Sequence, residues 1–219
     1  MRVAVLAAMR TELKPFLRHI EGGRIGDVSV TAKVTGIGTK AAGDTTTAVL
    51  DAEQIDRVVM IGIAGGVGKS VKIGDLVVPE VVVDARGEEH RPTPIDGLVA
   101  RGRMRTSDEI DVSVDEVADL DSRGFIALDM ETAAVAEVCE RRGVPWSVVR
   151  AISDHCDDGF VDSSVLAMTN VDGSPNFPAV ARYLLPRPWR IIRLSRLARG
   201  SRAATEASAT AAAEAIRSF

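Results

Sequence analysis

Apolar and polar positions along the chain follow two rhythms. Arg2–Ala8 is a compact apolar run, the pattern of a strand buried on both faces. Thr11–His19 places Leu13, Phe16 and Leu17 at helical spacing. Val28–Thr35 alternates as a strand and ends at Gly36-Ile37-Gly38, and Lys40–Ala52 is small-residue-rich and helical. Asp56–Ile63 reads as a second buried strand opening into a glycine loop, Ala64-Gly65-Gly66. Ile73–Val83 is β-branched and strand-like, Asp84–Pro94 polar and loop-like. Ile126–Asp129 predicts a short strand, followed by a helix from Met130 to about Arg142. Gly143-Val144-Pro145 breaks that helix before the strand Trp146–Ile152. Strands alternating with helices predict an α/β fold, a mixed and mostly parallel sheet with helices on both faces. Ligands of such folds collect at the C-terminal edges of the strands.

The chain shows no internal repeat. After Asp172 its composition shifts to Pro, Arg and aromatics, then to an Ala-rich stretch. This divides it into a main domain, 1–172, and an appended basic, Ala-rich helical tail, 173–219. The tail holds eight arginines against Glu206 and Glu214 while the whole chain carries −4, so the body is acidic. An acidic body argues against nucleic acid as a partner. At 219 residues the chain is long enough to bury a core without disulfides. Its two cysteines, Cys139 and Cys156, make no disulfide framework, which points to a reducing cytoplasm. The first apolar run lacks a cleavage-site pattern and soon meets Glu12, so it reads as a strand and not a signal peptide. No apolar stretch has the length of a membrane span. His19, His90 and His155 are scattered, and Cys156 beside His155 lacks ligand spacing, so no metal set is expected.

Five segments carry candidate chemistry: Met9-Arg10-Thr11-Glu12, Gly36-Ile37-Gly38, Gly62-Ile63-Ala64-Gly65-Gly66, Asp129-Met130-Glu131-Thr132 and Arg150-Ala151-Ile152-Ser153-Asp154. In this order they resemble the methylthioadenosine/S-adenosylhomocysteine nucleosidases and the related purine nucleoside phosphorylases, over roughly 1–80 and 102–156. The resemblance implies a single-domain nucleoside phosphorylase-like fold. It implies cleavage of the N-ribosidic bond of an adenine-type nucleoside without metal or cofactor, by a homo-oligomer, most simply a dimer.

Roles follow from the same resemblance. Asp154 matches the acid that protonates the purine at N7, with Ser153 beside it. A purine anion leaves poorly, so a proton must arrive as the bond stretches, and Asp154 must hold one near neutral pH. Glu131 matches the residue that grips the ribose hydroxyls, with Met130 packing on the sugar. Such a carboxylate also stabilises the cation-like ribosyl group of the transition state. Asp129 stands where the nucleosidases carry a longer Glu and adds an acceptor. Glu12 matches the base that activates water across the sugar from the acid. Met9, Ala64 and Gly65 fall at the remaining substrate contacts, and Ile110 falls near the apolar side chain that stacks on the base. Each key residue has a plain structural reading too. Asp154 is a good helix cap, Glu131 suits a helix first turn, and Glu12 fits a solvated helix face.

Departures from the family pattern bear on the nucleophile. Ile63 stands where the glycine loop begins with Ser, and Met60 where phosphorylases place a phosphate-binding Arg. Both favour water, although backbone N–H groups of Gly65 and Gly66 leave phosphorolysis open. The stretch 84–108 is shorter than in the nucleosidases, which implies a missing helix and a reduced 5′-side pocket. A catalytically silent nucleoside-binding protein is the reading these losses would support. A dinucleotide module rests on Gly36-Ile37-Gly38 alone, without the third glycine of that fingerprint. The tail runs from Arg182 to Arg202 through seven arginines and no acid, interleaved with Trp189, Ile191, Ile192 and Leu194. It suits either an interfacial helix on anionic lipid, giving peripheral contact at the inner membrane face, or a packing helix with arginines turned to solvent. It also resembles the ends of hopanoid-associated phosphorylases, which release adenine from adenosylated lipid precursors.

Overall fold

The computed structural model describes residues 1–109, 113–156 and 190–219, with side chains from 198 onward in the last segment. Ile110, and Arg182 to Trp189 of the basic tail, lie outside the described residues. Among the described residues ten strands form one mixed sheet. They are β1 (Arg2–Ala7), β2 (Arg24–Ile25), β3 (Val28–Val34), β4 (Arg57–Gly66), β5 (Leu76–Val77), β6 (Val81–Val83), β7 (Glu89–His90), β8 (Arg103–Thr106), β9 (Phe125–Asp129) and β10 (Trp146–His155). The described helices are α1 (Arg10–Leu17), α2 (Thr39–Ala52), α3 (Val114–Ser122), α4 (Thr132–Arg142) and α5 (Arg190–Arg217).

The main path runs β2-β3-β1-β4-β9-β8-β6-β7, and β10 also pairs with β4. Pairings β1–β3, β1–β4, β4–β10, β6–β8 and β8–β9 are parallel. The continuous apolar runs of β1, β4 and β10 follow from burial on both faces. Helices α2 and α4 cover one face through Ala42, Val49, Val135 and Cys139. Helices α1 and α5 cover the other through Leu13, Phe16, Ala212 and Ile216. Gly143, at φ 66°, ends α4 in the left-handed conformation that a side chain disfavours.

Three expectations need correction. Gly65 and Gly66 form no loop: they continue β4, pairing with β10 on one side and with Leu128 and Ala127 of β9 on the other. Glycine is needed there because a Cβ on Gly65 would lie 2.7 Å from Cys156 Sγ. Ile73–Val83 is two short strands, since Pro79 cannot donate to a ladder. The polar stretch 84–94 contains β7, which turns back on β6 through Gly87 at φ 87°. Strand β8 and helix α3, the latter capped by the Ser113 hydroxyl, had no sequence forecast. Residues 84–108 hold β7 and β8 and no helix.

The Ala-rich stretch of the tail is core. Gly200, Ala204, Ser208, Ala212 and Ile216 recur every fourth residue, and all five are buried. These small side chains let α5 lie close on β10 and β4. At Gly200 a Cβ would meet the Ser153 carbonyl oxygen at 2.3 Å. Gly→Ala in an open helix interior gains about 1 kcal/mol. Here Gly200→Ala is expected to cost about 1–3 kcal/mol instead, because a backbone oxygen cannot yield. Denaturant unfolding checks this, and a stabilised variant would contradict the close packing. Among the described residues no helix is long and apolar enough to cross a membrane.

Candidate active site

The C-terminal ends of β1, β4, β9 and β10 bring three acidic side chains together with one arginine, and Asp154 stands at the end of β10. After β1 the chain enters α1 at Met9, and Glu12 folds back over that turn. Its Oε2 accepts the Met9 N–H at 2.8 Å, and its Oε1 accepts the Ile63 N–H at 2.9 Å. Glu12 is 2% exposed, which excludes a solvated helix face. The approach depends on Gly62, whose Cβ would stand 2.6 Å from Glu12 Oε1 and whose φ is +133°.

Strand β9 delivers Asp129 and the turn into α4 delivers Glu131. Asp129 Oδ1 accepts from Thr106 Oγ1 at 2.5 Å, and Oδ2 accepts the Thr132 N–H at 3.0 Å. Asp129 thus satisfies the first N–H of α4, and the side chain of Glu131, the N-cap residue, makes no cap hydrogen bond. Glu131 Oε1 accepts the Gly38 N–H at 3.0 Å, which assigns Gly36-Ile37-Gly38 a positioning role in the site. Arg150, on β10, ties the group together. Its Nη2 lies 2.6 Å from Asp129 Oδ2 and 3.0 Å from Glu131 Oε2, while its Nη1 donates to the Ile63 carbonyl at 2.6 Å. Ile63 therefore serves through its backbone, holding both Glu12 and Arg150 whatever its side chain. At a bulge in β10, Ser153 donates to Asp154 Oδ1 at 2.5 Å.

Three buried carboxylates share one buried guanidinium, so full ionisation would leave the cluster negative. Burial pushes the Glu12 carboxyl up, against the opposing pull of Arg150 and of the Ile63 and Met9 N–H groups. Burial likewise carries Glu131 up to about 7, with Asp129 and Glu12 adding their repulsion. The cluster therefore holds a proton near neutral pH and can accept or release one there. Met9, Met130, Ile63 and Gly65 are half-buried around it, and Ala64 is buried. Met60 lies in the core. A small cavity between β8, β9 and α3, lined by Arg105, Ser107, Glu109, Glu116 and Leu120, reaches Asp129.

Sequence reasoning placed Glu12, Asp129, Glu131, Ser153 and Asp154, but assigned no role to Arg150, Thr106 or Thr132. Arg150 left a readable signal: an arginine inside the apolar strand Trp146–Ile152 can be buried only against carboxylates.

The family model for the phosphorylase superfamily matches residues 2–103 and 86–173. The chain belongs to the phosphorylase superfamily. Among its relatives, a 5′-methylthioadenosine/S-adenosylhomocysteine nucleosidase of Haemophilus influenzae is 32% identical over 182 residues, covering 69% of this chain and 79% of the relative. The enzyme of the same name from Exiguobacterium is 30% identical, covering 72% and 87%. Superfamily members of solved structure share the fold. The Neisseria meningitidis nucleosidase, solved with methylthio-immucillin-A, aligns with a TM-score of 0.76 at 21% identity, over 100% and 99% of the two chains. A Helicobacter pylori futalosine hydrolase aligns at 0.75 and 19%, over 100% and 98%.

Proposed function

We propose that this phosphorylase-superfamily chain is a purine nucleosidase that hydrolyses the N-ribosidic bond of adenine nucleosides of the methylthioadenosine and S-adenosylhomocysteine type. The observation that carries the reading is the buried set Glu12, Asp129 and Glu131 around Arg150. Glu131 keeps lone pairs beyond those given to Gly38 and Arg150, enough to accept from vicinal ribose hydroxyls. As the C1′–N9 bond breaks, its electron pair passes to the base, and Asp154 supplies the proton that lets adenine leave neutral. Positive charge at C1′ is met by the negative cluster. Glu12 takes a proton from water as its oxygen bonds C1′, and its raised proton affinity suits that task.

The same electrostatics argue for water over phosphate. Arg150 is committed to two carboxylates and Ile63, so an incoming phosphate would meet net negative charge. Gly65 and Gly66 lie in a paired strand and form no open anion nest. Adenine release is expected to be unchanged by added phosphate and to yield a free reducing sugar. Glu12→Gln is expected to lower it by about 10²-fold or more. Product analysis by chromatography checks both, and a sugar 1-phosphate as main product would overturn the hydrolytic reading.

A further inference from the structure

The β6–β7 hairpin builds a second polar cluster. Pairing of Val82 with His90 and of Asp84 with Glu88 brings Asp84, Glu88 and His90 to one side. One oxygen of Asp84, one of Glu88 and a ring nitrogen of His90 all lie within 4.8 Å of one another. The hairpin rests on α4. His90 Nδ1 is 2.8 Å from Glu140 Oε2, and Arg86 Nη2 comes within 3.9 Å of Glu137.

His90 is only 6% exposed, and its Nε2 has no hydrogen-bond partner among the described residues. A buried polar atom without a partner is costly. An ionised Glu140 can only accept, so His90 Nδ1 carries a proton, and in the neutral imidazole Nε2 then keeps its lone pair. A carboxylate on one imidazole nitrogen and a bare lone pair on the other is how metal-binding histidines are oriented.

The cluster is now balanced by Arg86, whose Nε lies 2.8 Å from Asp84 Oδ2 and whose Nη2 lies 2.7 Å from Glu88 Oε2. That side chain is 64% exposed, so the guanidinium can swing into solvent. Burial tends to raise the Asp84 carboxyl, but hydrogen bonds from Arg86 and from the Glu88 and Arg86 N–H groups outweigh it and hold the group below its ordinary range. Among the described residues Arg86 and Arg141 are the arginines that pair with Asp84, Glu88 and Glu137, and the C-terminal end of α4 adds negative potential.

We propose that Asp84, Glu88 and His90 bind a divalent transition-metal ion of the zinc type, which displaces Arg86 from between the two carboxylates. Imidazole with carboxylates suits such ions. Ligands about 2.0–2.2 Å from zinc stand at most roughly 4.4 Å apart, so the cluster needs little closing. The site is separate from the chemistry of Glu12 and Asp154, and none of its residues belongs to the active site.

The test is titration of the chelator-stripped full chain with zinc chloride by calorimetry, with adenine release followed in parallel. One ion per chain is expected. Binding should be lost in His90→Gln, fall at least tenfold in Glu88→Gln, and fall by roughly 10–100-fold in Glu140→Gln. Arg86→Ala should tighten it, because the competing cation is gone, and no purely structural hairpin would respond in that way. Should His90→Gln fold poorly by circular dichroism, the exposed Glu88→Gln and Arg86→Ala decide alone. The proposal is overturned by wild-type binding no tighter than millimolar, by undiminished binding in Glu88→Gln, or by weaker binding in Arg86→Ala.

Discussion

Asp154→Asn is expected to lower adenine release by about 10²–10⁴-fold with the fold intact. The substitution removes little but the proton. Asn keeps an oxygen that can accept the Ser153 hydroxyl now 2.5 Å from Asp154 Oδ1, and it keeps the shape of a site only 9% exposed. Its amide can still donate a hydrogen bond to the purine, so substrate binding should suffer less than turnover. The competing structural reading is equally sharp. Asn caps helices as well as Asp, so a capping Asp154 would tolerate the change in stability and turnover alike. Steady-state kinetics beside thermal unfolding separate the two, and near-normal turnover would remove Asp154 from the acid role.

Arg150→Met is expected to destabilise the protein by about 3–5 kcal/mol, since it strands Asp129 and Glu131 in the interior without their cation. The loss should depend on pH. In the wild type Glu131 is raised from an ordinary 4.5 to about 7, so its contribution to stability is complete below about pH 4.5 and declines as pH rises through 7. Arg150 restrains that rise, as it does for Glu12. Without it the folded-state values climb further, and the decline extends to higher pH. The variant should therefore approach wild-type stability in acid and fall furthest behind above pH 7. Denaturant unfolding at pH 5.5 and pH 8 measures this, and an equal deficit at both values would contradict it. Hydrolysis should collapse at both, because Ile63, Asp129 and Glu131 lose their common anchor.

Strands β1, β3 and β4 and helices α1 and α2 were legible because each carries a buried apolar run or one clear period, which the two-residue strand β2 is too short to show. The glycines of β4 misled for a physical reason. Gly65 and Gly66 carry the composition of a loop, yet they are small so that Cys156 and Ile152 can pack against the strand. Strand β8 was unreadable because Arg103-Met104-Arg105-Thr106 offers a single apolar side chain, Met104, in four residues, too few to set a period. Within the site, Glu12, Glu131 and Asp154 could be named through the family pattern, and Asp129 beside Glu131. What holds them is mostly backbone, from Met9, Gly38 and Ile63, and a backbone N–H leaves no trace in a sequence. The Ala-rich stretch read as an appended helix, since it lacks large side chains, although small ones are what close packing on β10 requires.

Ser208 gives that helix a consequence for how the protein is made. Its hydroxyl donates to the Val149 carbonyl at 2.6 Å and accepts the Gly62 N–H at 3.0 Å, joining the two strands that carry Gly62 and Arg150. Those strands leave the ribosome well before Ser208 does. During synthesis the chain thus passes through an interval in which its charged centre is assembled from one side only, with the alanine face still to come. An unfinished polypeptide stopped short of α5 would expose the apolar face of β1, β4 and β10, and would meet the cell as an aggregation risk before it could turn over a nucleoside.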